Sequence, residues 1–419
     1  MRKTLATVLA TTLIVMGILT GCSSSSSSNE ATSSGKNGQE EKVEISVWAM
    51  GNQMKEFAQQ FEKENPNIKV NVQTIPWGAA HDKLLTAVAS KKGPDVVQMG
   101  TTWIPEFATA KALMDLTPYL DKYPEFGPDN FYPGSVETAT FEGAYVGVPW
   151  YIDTRFLYYR TDLLKEVGYD HAPATWEELQ DAALKLKQRG DNKYGILLDP
   201  KESSLGFMFA RQNGSKLIDD AGKPLFNEPQ FVETVDYLNS FFKNGSAPLD
   251  LGIDMIQTFK GEGVTPMFIS GPWMVKMVQD QAPELEGKWA TAVLPKKENN
   301  ISTLGGSNLS VFQYTKQPEA AMKFVAWMSQ PETQLKWMEV ASEMPAAKKA
   351  WETEKLQSDP SYKVIGEQLK SARPLPLIKQ WEEIAQNYMG SFEKVIRAGD
   401  DVKQEMDTFN QKADQILNK

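Results

Sequence analysis

Val43-Glu44-Ile45-Ser46-Val47-Trp48 alternates apolar and polar residues, the period-2 pattern of a half-buried strand. Gly51 and Asn52 break it, and Met54, Phe57, Ala58 and Phe61 then recur at helical spacing up to the Asn65-Pro66-Asn67 stop. Ile68, Val70 and Val72 make a second strand, and residues 81–90 a second helix carrying Leu84, Leu85 and Val88. Pro94-Asp95-Val96-Val97 opens a third strand, and residues 103–113 read as helical. Strands alternating with helices predict an α/β fold built on an open sheet with crossover connections. In such sheets ligands bind outside the carboxyl ends of the strands. That rule places Trp48, Gly51 and Asn52 after the first strand, and Thr101 to Trp103 after the third, at a candidate site.

The middle of the chain reads as two more strands, residues 145–148 and 156–159, joined by a loop that holds Trp150, Tyr151, Asp153 and Arg155. Such a loop offers an aromatic plate beside charged hydrogen-bonding groups, which suits a sugar: an apolar C–H face to stack and an edge of hydroxyls to bond. Thr175 is an N-cap with Glu178 as its capping-box partner, so Trp176 beside it is read as structural. Gly271 and Pro272 suit a turn into a helix that begins near Trp273, and Gly305-Gly306 lets backbone approach a ligand or hinge freely.

At the start of the chain Arg2 and Lys3 precede an uncharged, mostly apolar run over residues 5–19. Leu19-Thr20-Gly21-Cys22 follows, then six serines at 23–28. Fifteen helical residues span about 22 Å, short of a hydrocarbon core of about 30 Å, so a cleaved secretory signal is favoured over a permanent span. Cys22 is the only cysteine. The run resembles the lipobox of bacterial lipoproteins, which implies diacylglycerol on the Cys22 sulfur and cleavage after Gly21. Residues 23–42 are polar and flexible in composition, a linker to the globular body.

Without signal and tail roughly 375 residues remain, enough for two lobes rather than one simple core. The net charge of -10 argues against nucleic acid as a partner. There is no Gly-x-Ser-x-Gly, phosphate-binding Gly-rich loop or metal-spaced His pair, and the two histidines, His81 and His171, lie far apart in sequence. No enzyme, cofactor or metal site is therefore expected. The rivals that stay open are a glycosidase working with paired carboxylates and a binding protein for a non-sugar solute such as glycerol phosphate or ferric iron, the iron held by Tyr158-Tyr159. Neighbours on a strand point to opposite faces, which favours a buried strand over iron ligation.

Three groups of phrases carry a resemblance. The first is Phe57-Ala58-Gln59-Gln60-Phe61-Glu62-Lys63-Glu64-Asn65-Pro66 with Gly93-Pro94-Asp95-Val96-Val97 and Ala112-Leu113-Met114-Asp115-Leu116. The second is Tyr145-Val146-Gly147-Val148-Pro149-Trp150 continuing through Leu157-Tyr158-Tyr159-Arg160 to Pro173-Ala174-Thr175-Trp176. The third is Thr265-Pro266-Met267-Phe268-Ile269-Ser270-Gly271-Pro272-Trp273 with Leu304-Gly305-Gly306-Ser307-Asn308 and Glu343-Met344-Pro345-Ala346. In this order they resemble family 1 of the bacterial extracellular solute-binding proteins that serve sugar ABC importers, over essentially the whole mature chain.

The resemblance implies a two-lobed, periplasmic-binding-protein-like fold of type II, each lobe an open sheet flanked by helices, with a helical C-terminus. It implies crossings near Leu116, Gly306 and Met344. The expected division is a signal at 1–21, a lipidated linker at 22–42, an N-lobe of 43–117 with 307–343, and a C-lobe of 118–306 with 344–419. It further implies that Trp150, Asp153, Arg155 and Trp273 face a cleft, with Gly305, Gly306 and Glu343 at crossings and Arg373 and Trp381 at its edge. With Trp48, Asn52 and Trp103 these are the expected sugar contacts. The partners implied are a mono- or oligosaccharide, membrane permease subunits, and the membrane itself through the lipid. A monomer on the outer side of the cell membrane, or in a periplasm, is expected.

Overall fold

The computed structural model describes residues 42–419, so the expected signal segment, Cys22 and all of the linker but Lys42 lie outside the described residues. The strands are β1 (Val43–Ala49), β2 (Ile68–Thr74), β3 (Val96–Gly100), β4 (Thr140–Phe141), β5 (Ala144–Tyr145) and β6 (Val148–Thr154). They continue with β7 (Phe156–Arg160), β8 (Met267–Ser270), β9 (Trp289–Ala292), β10 (Leu304–Val311) and β11 (Met344–Pro345). Two principal sheets result. One has the order β11-β6-β10-β3-β1-β2, and the other the order β8-β7-β9. In the first, β1 runs parallel to β2 and β3, while β10 is antiparallel to both β3 and β6. Helices flank both sheets, giving the two-lobed α/β architecture.

The first sheet follows the periodicity of its sequence. Ile45, Val47 and Ala49 of β1 are fully buried, whereas Ser46 and Trp48 between them are half-buried and Glu44 before them is exposed. The helix Met54–Glu64 lays Met54, Phe57, Ala58 and Phe61 onto the sheet. Phe57 meets Trp337 edge-on at 5.0 Å and Phe61 meets Phe324 at 5.2 Å, which brings the helices Pro318–Ser329 and Pro331–Ala341 back to this lobe. Burying each such ring contributes about 1.5–3 kcal/mol, so this helical layer is anchored chiefly by its aromatic contacts. The second core gathers Phe207, Phe231, Tyr388 and Phe409 from helices on either side of a long sequence gap. Trp176 belongs here: it stacks on Tyr237 at 4.2 Å and its Nε1 donates to Gln212 Oε1 at 2.7 Å. Its helix is capped by Thr175, whose hydroxyl accepts from the Glu178 N–H at 3.2 Å. The helices Pro360–Ser371, Trp381–Glu393 and Val402–Leu417 make the expected helical C-terminus.

Two features differ from the reading of the sequence. The expected loop between residues 148 and 156 is strand β6 itself, because its backbone finds ladder partners on both sides, β10 and β11. Membership of the sheets also differs from the expected lobe boundaries. β6 and β11, both assigned to the C-lobe by those boundaries, pair in the six-stranded sheet. The chain passes from the six-stranded to the three-stranded sheet between Thr154 and Phe156.

Where the chain passes between the sheets, three segments are tied together by Ser302, which is fully buried. The Ser302 hydroxyl accepts from the Arg155 N–H at 2.9 Å and from Thr154 Oγ1 at 2.9 Å, and donates to the Arg155 carbonyl at 2.8 Å. The Ser302 carbonyl accepts from the Arg373 N–H at 2.9 Å, and the Arg373 carbonyl accepts from the Leu304 N–H at 2.8 Å. One short residue thus joins all three passages.

Candidate functional site

A cavity of about 470 Å³ opens beside these passages. Its walls come from both sides of these passages. On the side of the first sheet are the turn after β2 with Trp77, the turn after β3 from Gly100 to Trp103, and Tyr151 and Asp153 of β6. Gly305 and Gly306 of β10 and Ser342 to Met344 complete that wall. On the other side are Glu202 and Ser204 at the start of the helix Ser203–Gln212, Pro272 and Trp273, Leu375 and Glu382. A hydrogen bond of 2.5 Å from Thr102 Oγ1 to Glu382 Oε1 spans the two walls.

Strand alternation sorts the residues of β6. Tyr151 and Asp153 face the cavity, with Arg155 continuing the same side, while Trp150 and Ile152 point away into the core. Gly305 and Gly306 let Asp153 in: a Cβ on Gly305 would stand 2.5 Å from Asp153 Oδ1, and one on Gly306, at φ +119, 2.2 Å from the Tyr151 carbonyl. No larger residue fits where β10 passes β6 so closely.

The charged floor is a chain of contacts. Arg155 Nη1 donates to Asp153 Oδ1 at 3.2 Å, Arg155 Nη2 donates to Glu202 Oε2 at 3.0 Å, and the guanidinium lies 5.0 Å from the ring of Trp273. Burial pushes the Asp153 carboxyl up, an effect that Arg155 offsets only in part. For Glu202 the balance reverses: burial opposes its charge, but Arg155 and Ser204 together hold it below the usual carboxylate range. Glu343 accepts from Trp337 Nε1 at 2.6 Å. Burial first, and the nearby Asp153 charge second, push its carboxyl up to about 8, so it is mostly protonated and a hydrogen-bond donor at neutral pH.

The aromatic end is built from Trp103 and Trp77, whose rings meet at 5.4 Å, Trp77 being largely exposed. Behind Trp103 stands His81, 5.3 Å from its ring and hydrogen-bonded to Glu106 at 2.8 Å. That bond to Glu106 holds the imidazole above its ordinary pKa.

Of the residues expected at the site, the structure brings Trp103, Asp153, Arg155, Trp273, Gly305, Gly306 and Glu343 to one cavity. Five lie elsewhere. Trp150 is 1% exposed and packs against Trp337 at 4.4 Å, which makes it a support for the residue that holds Glu343. Trp381 is 1% exposed and packs on Phe207 at 4.7 Å in the second core. Trp48 lies half-buried under Lys83 Nζ, 4.6 Å from its ring centre. Asn52 is an exposed turn residue, and Arg373 takes part in the passage through its backbone while its exposed guanidinium bonds the Lys370 and Ala372 carbonyls.

The sequence reading missed Trp77, Glu202, Ser204 and Glu382 as site residues, while Thr102 and Tyr151 fell within its candidate segments without being singled out. The rule that placed Trp103 after β3 also reaches Trp77 after β2, and strand alternation from Asp153 reaches Tyr151. Nothing local marks Glu202 or Glu382. The tyrosine pair does not converge: Tyr158 is buried, donates to the Gly271 carbonyl at 2.8 Å and stacks on Phe268, whereas Tyr159 lies half-buried on the other face of β7. Among the described residues no group of three or more His, Cys, Asp or Glu is placed to hold a metal, and no helix is long and apolar enough to cross a membrane.

The chain is similar to known binding proteins in sequence and in fold. The family model described as bacterial extracellular solute-binding protein matches residues 48–335. The structure of the sugar-binding protein MalE from Xanthomonas citri superposes with a TM-score of 0.81 at 34% identity, covering 90% of this chain and 97% of that one. The galactooligosaccharide-binding protein of Bacillus subtilis is 25% identical, over 87% of each chain. The maltooligosaccharide ABC transporter solute-binding lipoprotein of Streptococcus pneumoniae is also 25% identical, over 90% of this chain and 89% of its own.

Proposed function

Because the chain belongs to the bacterial extracellular solute-binding proteins, we propose that it is the substrate-binding component of a carbohydrate ABC importer, a lipoprotein that captures a sugar or oligosaccharide and presents it to a membrane permease. The observation that carries the reading is one cavity holding both an aromatic end, Trp77 with Trp103, and a hydrogen-bonding floor, Asp153, Arg155 and Glu343. A saccharide needs that pair of surfaces: rings to cover its C–H face, and charged or protonated groups to satisfy its hydroxyls. The names of its relatives support the same substrate class.

In this reading the two lobes divide at the passages joined by Ser302, and closure brings Glu202, Trp273 and Glu382 onto a ligand lying against the first sheet. Closing removes water from these contacts, which strengthens them, and forms a joint surface for the permease. Binding alone is the function. Cys22 holds the trap near the membrane, and the linker supplies its reach.

Thermal-shift screening of the detergent-solubilised full-length protein against mono- and oligosaccharides tests the reading. At least one saccharide is expected to raise the melting temperature, with no sugar released on incubation. A rise with amino acids, peptides or metals and none with saccharides refutes the substrate class, and released sugar would revive the glycosidase alternative. The anchor is tested separately: Cys22→Ala is expected to leave the membrane fraction, and a variant that stays there refutes lipidation at Cys22.

A further inference from the structure

The cavity contains a guanidinium, the group that best recognises carboxylate and phosphate, yet that guanidinium is already committed. We propose that Glu202 is a specificity-determining residue: by clamping Arg155 from the second wall it restricts the cleft to saccharides without negative charge, excluding uronates and sugar phosphates. The inference rests on the saccharide reading and goes beyond it to the charge of the ligand.

Three contacts occupy Arg155. One terminal nitrogen bonds Asp153 at 3.2 Å, the other bonds Glu202 at 3.0 Å, and one face lies against Trp273. The side chain is only 14% exposed, so the guanidinium has little freedom to swing toward a new partner. Glu202 is itself held: its second oxygen accepts from Ser204 Oγ at 2.5 Å, and its residue leads directly into the helix Ser203–Gln212. The clamp is therefore built into the start of a helix rather than supplied by a free side chain.

The rest of the lining contributes no compensating charge. Among the described residues, Arg155 is the only Lys, Arg or His that lines the cavity, against the carboxyl groups of Asp153, Glu202, Glu343 and Glu382. Neutral hydroxyls suit this inventory, because carboxylates accept from them and a protonated carboxyl donates to them. An anionic ligand meets surplus acid and no unpaired cation, and like charges brought together in a partly dry interface are strongly unfavourable. A site that recognises uronates needs the opposite arrangement, with one edge of the guanidinium fork left open.

The test compares matched ligands on the detergent-solubilised full-length protein by titration calorimetry. Maltotriose and β-1,4-galactotriose serve as neutral probes, and their C6-oxidised tri-uronates as the charged ones. The tri-uronate is expected to bind at least about 100-fold more weakly than its neutral counterpart. In Glu202→Gln, which keeps the shape but removes one charge and loosens the clamp, that ratio is expected to shrink about tenfold. Ratios are read rather than absolute affinities, and the melting temperature of the variant reports its folding. Should the variant not fold, the wild-type ratio decides alone. A tri-uronate that binds as tightly as its neutral partner, or an unaltered ratio in folded Glu202→Gln, overturns the inference while leaving the saccharide reading intact. If neither neutral probe nor any other saccharide binds, the saccharide reading falls and this inference with it.

Discussion

The two faces of β6 differ in what holds their side chains. On the core face Trp150 lies against Trp337, buried to 1% exposure with its Nε1 unpaired, so packing alone keeps it there. On the cavity face Tyr151 and Asp153 meet polar partners, Gln98 for the one and Arg155 for the other. One strand therefore carries the stability of the lobe on one side and its chemistry on the other. Substitutions on the core face should cost more stability for a given loss of affinity than those on the cavity face.

The largest effect is expected at Trp150. Trp150→Ala empties a core site and should cost about 3–5 kcal/mol of stability, read as a lowered midpoint in denaturant. It should also weaken binding by unseating Trp337 and hence Glu343. A variant as stable as the parent would erase the difference between the faces. Asp153→Asn on the opposite face should cost less in stability. A lost charge-assisted hydrogen bond of about 1.5–3 kcal/mol corresponds to a roughly 10- to 150-fold loss of saccharide affinity by calorimetry.

Ser302 lies outside both faces, at the passages. Ser302→Ala strands the Arg155 N–H and leaves Thr154 without its partner, so about 1–3 kcal/mol should be lost. Scattering measurements with and without sugar should also show a changed balance between open and closed forms. An unaltered balance would mean that the joined passages do not govern opening.

The effect most specific to the cavity face is a dependence on pH. The Glu343 carboxyl is raised in the folded protein, so the folded state holds its proton more tightly than the unfolded chain does. Its contribution to stability is then fully present below the ordinary glutamate pKa near 4.5 and is lost as pH rises through about 8. Melting temperature should therefore fall between pH 5 and pH 9 by an amount that Glu343→Gln removes. An identical pH profile in the variant would assign the dependence to another group, with His81 beside Glu106 as the next candidate.

Much of the first sheet was legible because its residues interact locally. Alternation in β1 and the 3.6-residue spacing of Met54, Phe57 and Phe61 report a single buried face each, and a local pattern records such a face. Asp153 and Arg155 were legible as a charged pair, though the segment between 148 and 156 was expected as a loop and is a strand. That error also hid the sorting of Trp150 from Tyr151, which follows once the segment is seen to be extended. Trp381 was misplaced for another reason: an aromatic that packs in a core and one that lines a cleft leave the same mark on the sequence, and its partner Phe207 is remote in the chain. Glu202 carried no signal at all, since a glutamate before a helix is ordinary until Arg155 is placed across from it.

By itself the sequence carried the alternation of strands and helices, the family and part of the chemical inventory of the cleft, and it motivates the expectation of a lipid anchor at Cys22. These depend on composition, order and short-range periodicity, all of which one chain displays directly. Only the tertiary structure decided where the chain passes between the sheets, which tryptophans face the cavity, and that the Arg155 guanidinium there is bound on two sides. Each of those depends on distance between residues far apart in sequence. Ser302 is fixed against Arg155 and Arg373, and Glu202 against Arg155, by the packing of whole sheets rather than by any neighbour in the chain.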